Sequence, residues 1–286
     1  MGQKVVVIVG CGSVGSQIAP HLVRAGVRRF ILVDDDCVEL HNLSRTFDRS
    51  MLGSYKTKAV ARSLQRINNE VNVRTFECNV QYADESFYDM LEPGNTLVIG
   101  AADNRVSDAW LCDMCANMGL DFLSCGFWDN AVVCENFVYR HGTEDHLYRC
   151  LLKESIEEDA RIQHNNNYTS NDGVERKVNA GLGINVQMGN AVSAQLAVDM
   201  LMRNAEGYHA QVLPALTTQM LLFVCTNNPA LGGENVGRWF KRPLWSQCCK
   251  LTPSAGCTCH AGDAEEDLTG LDLDGVLGAD AMAFAE

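Results

Sequence analysis

Six residues near the start, Gly10-Cys11-Gly12-Ser13-Val14-Gly15, constrain this chain more than any other segment. They separate a β-branched run, Lys4–Val9, from Ser13–Ala25, whose pattern predicts a helix. A strand that turns directly into a helix through three glycines opens a βαβ unit. Glycine permits the tight turn and lets backbone approach a phosphate, while the helix N-terminus supplies N–H donors and a partial positive charge. A second apolar run, Phe30–Val33, ends in Asp34-Asp35-Asp36. Asp34 therefore stands about 20 residues past the turn, where a carboxylate can accept hydrogen bonds from ribose hydroxyls. These features alone also fit an NAD-dependent oxidoreductase.

The alternation continues along the chain. Lys56–Asn69 predicts a helix through Ala59, Val60, Leu64 and Ile67, and Val71–Phe76 a strand. Glu85–Leu91 reads as a short helix, Thr96–Ile99 as a buried strand, Val106–Met118 as a helix and Asp121–Ser124 as a strand. Ala131–Tyr139 reads as an antiparallel strand at the sheet edge. The expected fold is α/β, a Rossmann-like mainly parallel sheet with helices on both faces, extended by antiparallel strands in the C-terminal half. Residues 1–139 would form a nucleotide-binding half. Residues 140–178 are polar and lack periodicity, which predicts a long crossover loop. Residues 179–260 would complete the same domain, beginning with a helix over Ile184–Met202 that is rich in small residues suited to close packing or a subunit contact; 208–247 show no clear pattern. Residues 261–286 carry eight acidic residues and no Lys, Arg or His, and predict a disordered tail.

Charge and cysteine content exclude whole classes of partner. With 23 Lys plus Arg against 36 Asp plus Glu, the net charge is -13, unlike a nucleic-acid or anionic-membrane binder. No apolar stretch reaches the roughly 20 residues of a membrane helix, and the first run meets Gly10 rather than a signal-peptide cleavage site. The 13 cysteines are odd in number and irregularly spaced, so reduced thiols and a cytoplasmic location are expected.

Beyond Asp34-Asp35-Asp36-Cys37-Val38 come Asn42-Leu43-Ser44-Arg45, then Gly53-Ser54-Tyr55-Lys56 opening a helix, then Asp103-Asn104 after a strand. In order and spacing these resemble the ThiF/MoeB family of adenylating enzymes, relatives of ubiquitin-activating enzymes, over about residues 4–138 and more weakly to about 205. The resemblance implies ATP- and Mg²⁺-dependent adenylation of a carboxylate, with release of pyrophosphate. Two anions must then meet while charge builds on phosphate oxygens, so positioning and cationic stabilisation carry the catalysis. It implies Arg45 and Lys56 on the phosphates and Asp103 on Mg²⁺ through oxygen. Asn42 would position phosphates or ribose, with Asp34 and Asp36 beside the ribose and metal, and Gly10, Gly12 and Gly15 would shape the phosphate turn. The implied substrate is a small ubiquitin-like or sulfur-carrier protein ending in Gly-Gly, and the implied assembly is a homodimer.

Some family features differ here. Many relatives carry an N-terminal segment whose Arg reaches the partner's ATP site, whereas this sequence enters its first strand at Lys4. The Arg often found five residues after the motif aspartate is Asp108, with Arg105 nearby. No cysteine lies between Leu151 and Val224, so Cys125, Cys134, Cys150 and Cys225 are the thioester candidates, and each reads as a buried, inert thiol. Cys150, Cys248, Cys249, Cys257, Cys259 and His260 offer ligands for Zn²⁺, while Cys112 and Cys115 sit within a predicted helix and read as packing. The alternatives are adenylation of a peptide or amino-acid carboxylate in biosynthesis, and a catalytically silent nucleotide-binding scaffold.

Overall fold

Every residue of the first strand, β1 (Val5–Val9), is buried, as an apolar run flanked and covered on all sides must be. In the computed structural model, which describes residues 1–102, 104–128, 130–168, 181–216, 220–254 and 257, β1 lies inside an eight-stranded sheet. The chain runs from β1 through helix α1 (Gly15–Arg24) to β2 (Arg29–Val33), and through α2 (Lys56–Ile67) to β3 (Asn72–Phe76). It continues through α3 (Glu85–Tyr88), β4 (Thr96–Gly100), α4 (Arg105–Met118), β5 (Asp121–Trp128) and β6 (Val133–Tyr139). Next come α5 (Tyr148–Tyr168), α6 (Gly183–Met202), β7 (Met220–Cys225), α7 (Gly233–Trp239) and β8 (Ser246–Lys250). The strand order is β3-β2-β1-β4-β5-β6-β7-β8. The first five are parallel and the last three antiparallel, as expected from the sequence.

The alternation of β1 divides the core in two. Val6 and Ile8 pack with Ile18 and Leu22 of α1 and with Leu196 and Ala197 of α6. Val5, Val7 and Val9 face the other way, toward Phe87, Leu111, Tyr148 and Ile156. Each such fully buried aliphatic or aromatic side chain contributes about 1.5–3 kcal/mol.

Two expectations are corrected. β6 is not an edge strand, because β7 and β8 pair beyond it, and β8 is the outer strand. The expected loop 140–178 contains α5, whose buried residues Tyr148, Cys150, Leu152 and Ile156 pack in the same cluster as α4. The helical signal there is carried by Leu147, Leu151, Leu152 and Ile156, and the polar run that follows obscures it. The small residues of α6 serve packing within the chain. A side chain at Gly189 would come within 2.6 Å of the Phe127 ring and 2.7 Å of Cys134, and Ala194 and Ala197 lie in the core. Residues 169–180 and the acidic tail lie outside the described residues. No helix among those described is long and apolar enough to cross a membrane.

Candidate functional site

Parallel strands feed left and right from β1, and the crevice where strand order reverses opens between the carboxyl ends of β1 and β4. A cavity of about 350 Å³ lies there, within the size range of small-molecule sites. Gly10 leaves β1 at φ +93°, and a side chain on it would lie 2.6 Å from the Ala101 carbonyl and 2.7 Å from Ala102 N. A side chain at Gly15 would overlap the Gly10 carbonyl and press on Ile8, so this glycine sets how closely α1 approaches β1. Gly12 faces open space. Val14 caps α1 without a side-chain bond, and within the described residues no hydrogen bond uses the N–H groups of Gly12, Ser13 or Val14. The turn thus presents idle backbone donors on a helix N-terminus, an anion-binding arrangement.

Asp34 ends β2 beside this turn. Its Oδ2 accepts from Cys11 N at 2.6 Å, its Oδ1 accepts from Asp36 N at 2.9 Å, and Lys56 Nζ lies 3.9 Å away. Desolvation raises its pKa above the ordinary carboxylate value, against the opposing pull of Lys56 and the two N–H donors. Asp36 is exposed and accepts a short hydrogen bond from Lys56 Nζ. Residues 38–54 form a closed excursion: Val38 N donates to Ser54 O at 2.8 Å and Gly53 N to Val38 O at 2.9 Å, and Cys37 bridges to Tyr55. That closure brings Lys56, the first residue of α2, back over the crevice.

Arg45 also lines the cavity, and its carbonyl accepts from Gln17 Nε2 at 2.8 Å. Asn42 does not line it. Its Oδ1 accepts from Glu39 N at 2.8 Å and its carbonyl from Arg45 N at 3.2 Å, so it shapes the turn that carries Arg45. Asp103 lies outside the described residues. Its neighbour Asn104 caps α4, accepting from Val106 N at 3.0 Å and Ser107 N at 3.2 Å. The crevice thus brings together Gly10, Gly12, Asp34, Asp36, Arg45 and Lys56. It also gathers residues without a local motif, including Asn79, Gln81, Phe127, Ala131 and Val186. Phe127 and Ala131 flank the β5–β6 turn and Val186 comes from α6 in the C-terminal half, where only the topology foretells their place.

Asp108, at the altered arginine position, and nearby Arg105 both have structural roles. Arg105 forks onto Glu135 at 2.9 and 3.0 Å, donates to the Tyr148 hydroxyl at 3.1 Å and stacks over Trp128. Asp108 is buried and accepts from Ser124 Oγ at 2.6 Å.

Asp34, Asp35 and Asp36 place carboxylate oxygens within 4.8 Å of one another, a hard oxygen donor set that suits Mg²⁺. Among the described residues Cys150, Cys248, Cys249 and Cys257 gather no such group; Cys257 Sγ lies 3.6 Å from His146 Nδ1. Cys259 and His260 lie outside the described residues. Cys112 and Cys115 are buried in α4, as packing requires. The thioester candidates are buried too, and burial pushes the thiols of Cys125, Cys225 and Cys134 up, the last to about 12. None of these three is a ready nucleophile.

Comparison with known proteins shows the family and the fold. The ThiF family model matches residues 2–228. Ubiquitin-like modifier-activating enzyme 5 of Dictyostelium discoideum is 32% identical over 137 residues, 44% of this chain and 36% of its own length. The Drosophila willistoni protein of that name is 34% identical over 140 residues, 46% of this chain and 34% of its own length. This chain therefore spans about a third of the curated relatives it matches. Among solved structures, E. coli MccB with ATP superposes at a TM-score of 0.63 with 19% identity, covering 90% of this chain and 67% of that one. PaaA gives 0.62 with 18% identity over 88% and 74%. These two likenesses concern the fold. With the glycine turn, Arg45 and Lys56 around one crevice and a family match across most of its length, this chain belongs to the ThiF family.

Proposed function

We propose that this chain binds ATP in the β1/β4 crevice and adenylates the C-terminal carboxylate of a small ubiquitin-like or sulfur-carrier protein. The observation that carries the reading is the meeting of idle turn N–H groups, Arg45 and Lys56 around a single cavity. In the reaction a carboxylate oxygen attacks the α-phosphorus, an acyl–phosphate bond forms, and the bond to the β-phosphate breaks to release pyrophosphate. The turn donors and the two cations supply fixed positive potential where oxygen charge grows. Lys56 exchanges exposed Asp36 for a phosphate, leaving Asp36 to water. Asp34 holds the turn through Cys11 and faces the ribose. Asp103, with the carboxylates after β2, would hold Mg²⁺, which neutralises phosphate charge when bound. A homodimer is part of the same reading.

A second reading, adenylation of a peptide or amino-acid carboxylate, fits the likeness of the fold to E. coli MccB. The Microcin C7 biosynthetic enzyme MccB has been solved in complex with N-formylated MccA. ATP–pyrophosphate exchange distinguishes the two. Exchange that depends on an added Gly-Gly-ended carrier supports the first, and exchange driven by a free peptide supports the second. ATP binding without exchange on either would leave only a silent scaffold and refute both.

A further inference from the structure

α6 reaches the crevice from the C-terminal half of the chain, and one of its side chains ties two crevice elements together. Asn190 is fully buried. Its Nδ2 donates to the Ser13 carbonyl at 2.9 Å and to Gln17 Oε1 at 2.9 Å. Gln17 Nε2 donates in turn to the Arg45 carbonyl at 2.8 Å. A flipped Asn190 amide would set its oxygen against two acceptors, so the network fixes the orientation. Asn190 Oδ1 has no hydrogen-bond partner among the described residues. A buried amide with an idle acceptor is costly on a helix face where Ala194 and Ala197 show that small apolar residues pack well. What the amide supplies and alanine lacks is the pair of donors.

One donor ends on the glycine turn of the crevice, and the other reaches the crevice through Gln17 and the Arg45 carbonyl. The Ser13 carbonyl belongs to the glycine turn, and in a trans peptide it points opposite to the Val14 N–H, so holding one aims the other. The Arg45 carbonyl sits on the backbone that carries the guanidinium. Elsewhere on the same helix, a side chain at Gly183 would come within 3.2 Å of Ser44 O and 3.3 Å of Arg45 Cα, and Val186 lines the cavity. We infer that Asn190 is a positioning residue that locks the glycine turn directly, and Arg45 through Gln17, in one register for the polyphosphate of ATP. This inference rests on the ATP reading of the crevice.

The test is calorimetric binding of Mg·ATP to the full chain for Asn190→Ala, Gln17→Ala, the double variant and Lys56→Ala, with adenosine affinity measured by competition. Because Gln17 acts downstream of Asn190, Asn190→Ala should weaken ATP about tenfold, Gln17→Ala by part of that, and the double variant no more than Asn190→Ala alone. Adenosine, which lacks phosphates, should keep its affinity in all three. Additive losses, an equal loss for adenosine, or parent-like ATP binding while Lys56→Ala loses it would overturn the relay. Parent-like binding in Lys56→Ala as well would overturn the ATP reading and the relay with it. Should Asn190→Ala fail to fold, Gln17→Glu on partly exposed Gln17 carries the test. It keeps the acceptor for Asn190 but sets a carboxylate against the Arg45 carbonyl, and should weaken ATP as Gln17→Ala does; parent-like binding refutes the relay.

Discussion

Replacing Asp34 by asparagine and by alanine separates its hydrogen bonding from its charge. Of the two N–H groups it accepts, the one from Cys11 belongs to a fully buried residue, while the one from exposed Asp36 can turn to water. Asparagine keeps an oxygen for Cys11 and loses about 1 kcal/mol, the difference between a charged and a neutral hydrogen bond. It also escapes the desolvation that dominates the raised pKa of this carboxyl. The two effects offset, so Asp34→Asn should lie within about 1 kcal/mol of the parent near neutral pH. Alanine leaves the buried Cys11 N–H without an acceptor and should cost about 1–3 kcal/mol. The pH dependence has a definite sign. A carboxyl raised above its unfolded value binds its proton more readily in the folded protein, so its contribution is full below the unfolded pKa and is lost as pH rises through the folded one. The parent should therefore gain on Asp34→Asn as acid is added. Urea unfolding at about pH 7 and about pH 4.5 measures both effects, and every other carboxylate cancels in the difference. A loss above about 3 kcal/mol for the asparagine variant near neutrality, or a parent-minus-variant gap that shrinks with acid, would refute this account.

Lys56→Ala should weaken ATP binding by about 10–100-fold, the loss of one charged hydrogen bond, and should cost about 1 kcal/mol in unfolding, because Asp36 can face water but part-buried Asp34 loses the cation beside it. Unchanged calorimetric affinity would contradict it. Asp103→Ala should abolish ATP–pyrophosphate exchange while the circular dichroism melt stays put; near-normal exchange would remove Asp103 from the chemistry. Asp199 is buried and accepts from Tyr208 Oη at 2.5 Å, Gln195 Nε2 at 3.1 Å and the backbone N–H groups of Gln211, Val212 and Leu213 at 2.9, 2.6 and 3.0 Å. Burial pushes its pKa up, but these donors outweigh it and the net shift is downward. Asp199→Ala should cost about 3–5 kcal/mol near neutrality, and the cost should shrink as pH falls through the lowered pKa; a cost constant with pH would show that the charge contributes nothing.

The parallel half was legible because its signals are local. Val5–Val9, the glycine turn and Asp34 follow one another along the chain, and the register from Asn42 to Lys56 is a single excursion closed on itself. Asn42 was harder to read, because spacing fixed its neighbourhood while its side chain turned to Glu39 rather than the cavity. The first half of α5 was hidden by the polar stretch that follows it. β7 and β8 were expected as antiparallel strands of the C-terminal half but not located, because strand pairing is a property of distant residues, and β7 is recognisable only once β6 stands beside it. Asn190 offered no pattern at all, since a lone amide among apolar residues acquires meaning only from the Ser13 carbonyl across the helix contact.

The pairing of Lys56 with Asp36 bears on how fast a ligand arrives. Counted as formal charges, Asp34, Asp35 and Asp36 outnumber Lys56 and Arg45 at the crevice, in a molecule already at -13. Such a mouth exerts no long-range pull on a polyanion. Encounter with nucleotide should proceed at an unsteered rate that added salt accelerates rather than slows, as screening relieves repulsion. On the proposed reading attraction begins only at contact, when the idle N–H groups would meet a phosphate and the ammonium would change partner. Discrimination therefore falls on the dissociation step, and a free polyphosphate without its cation meets a repulsive entrance.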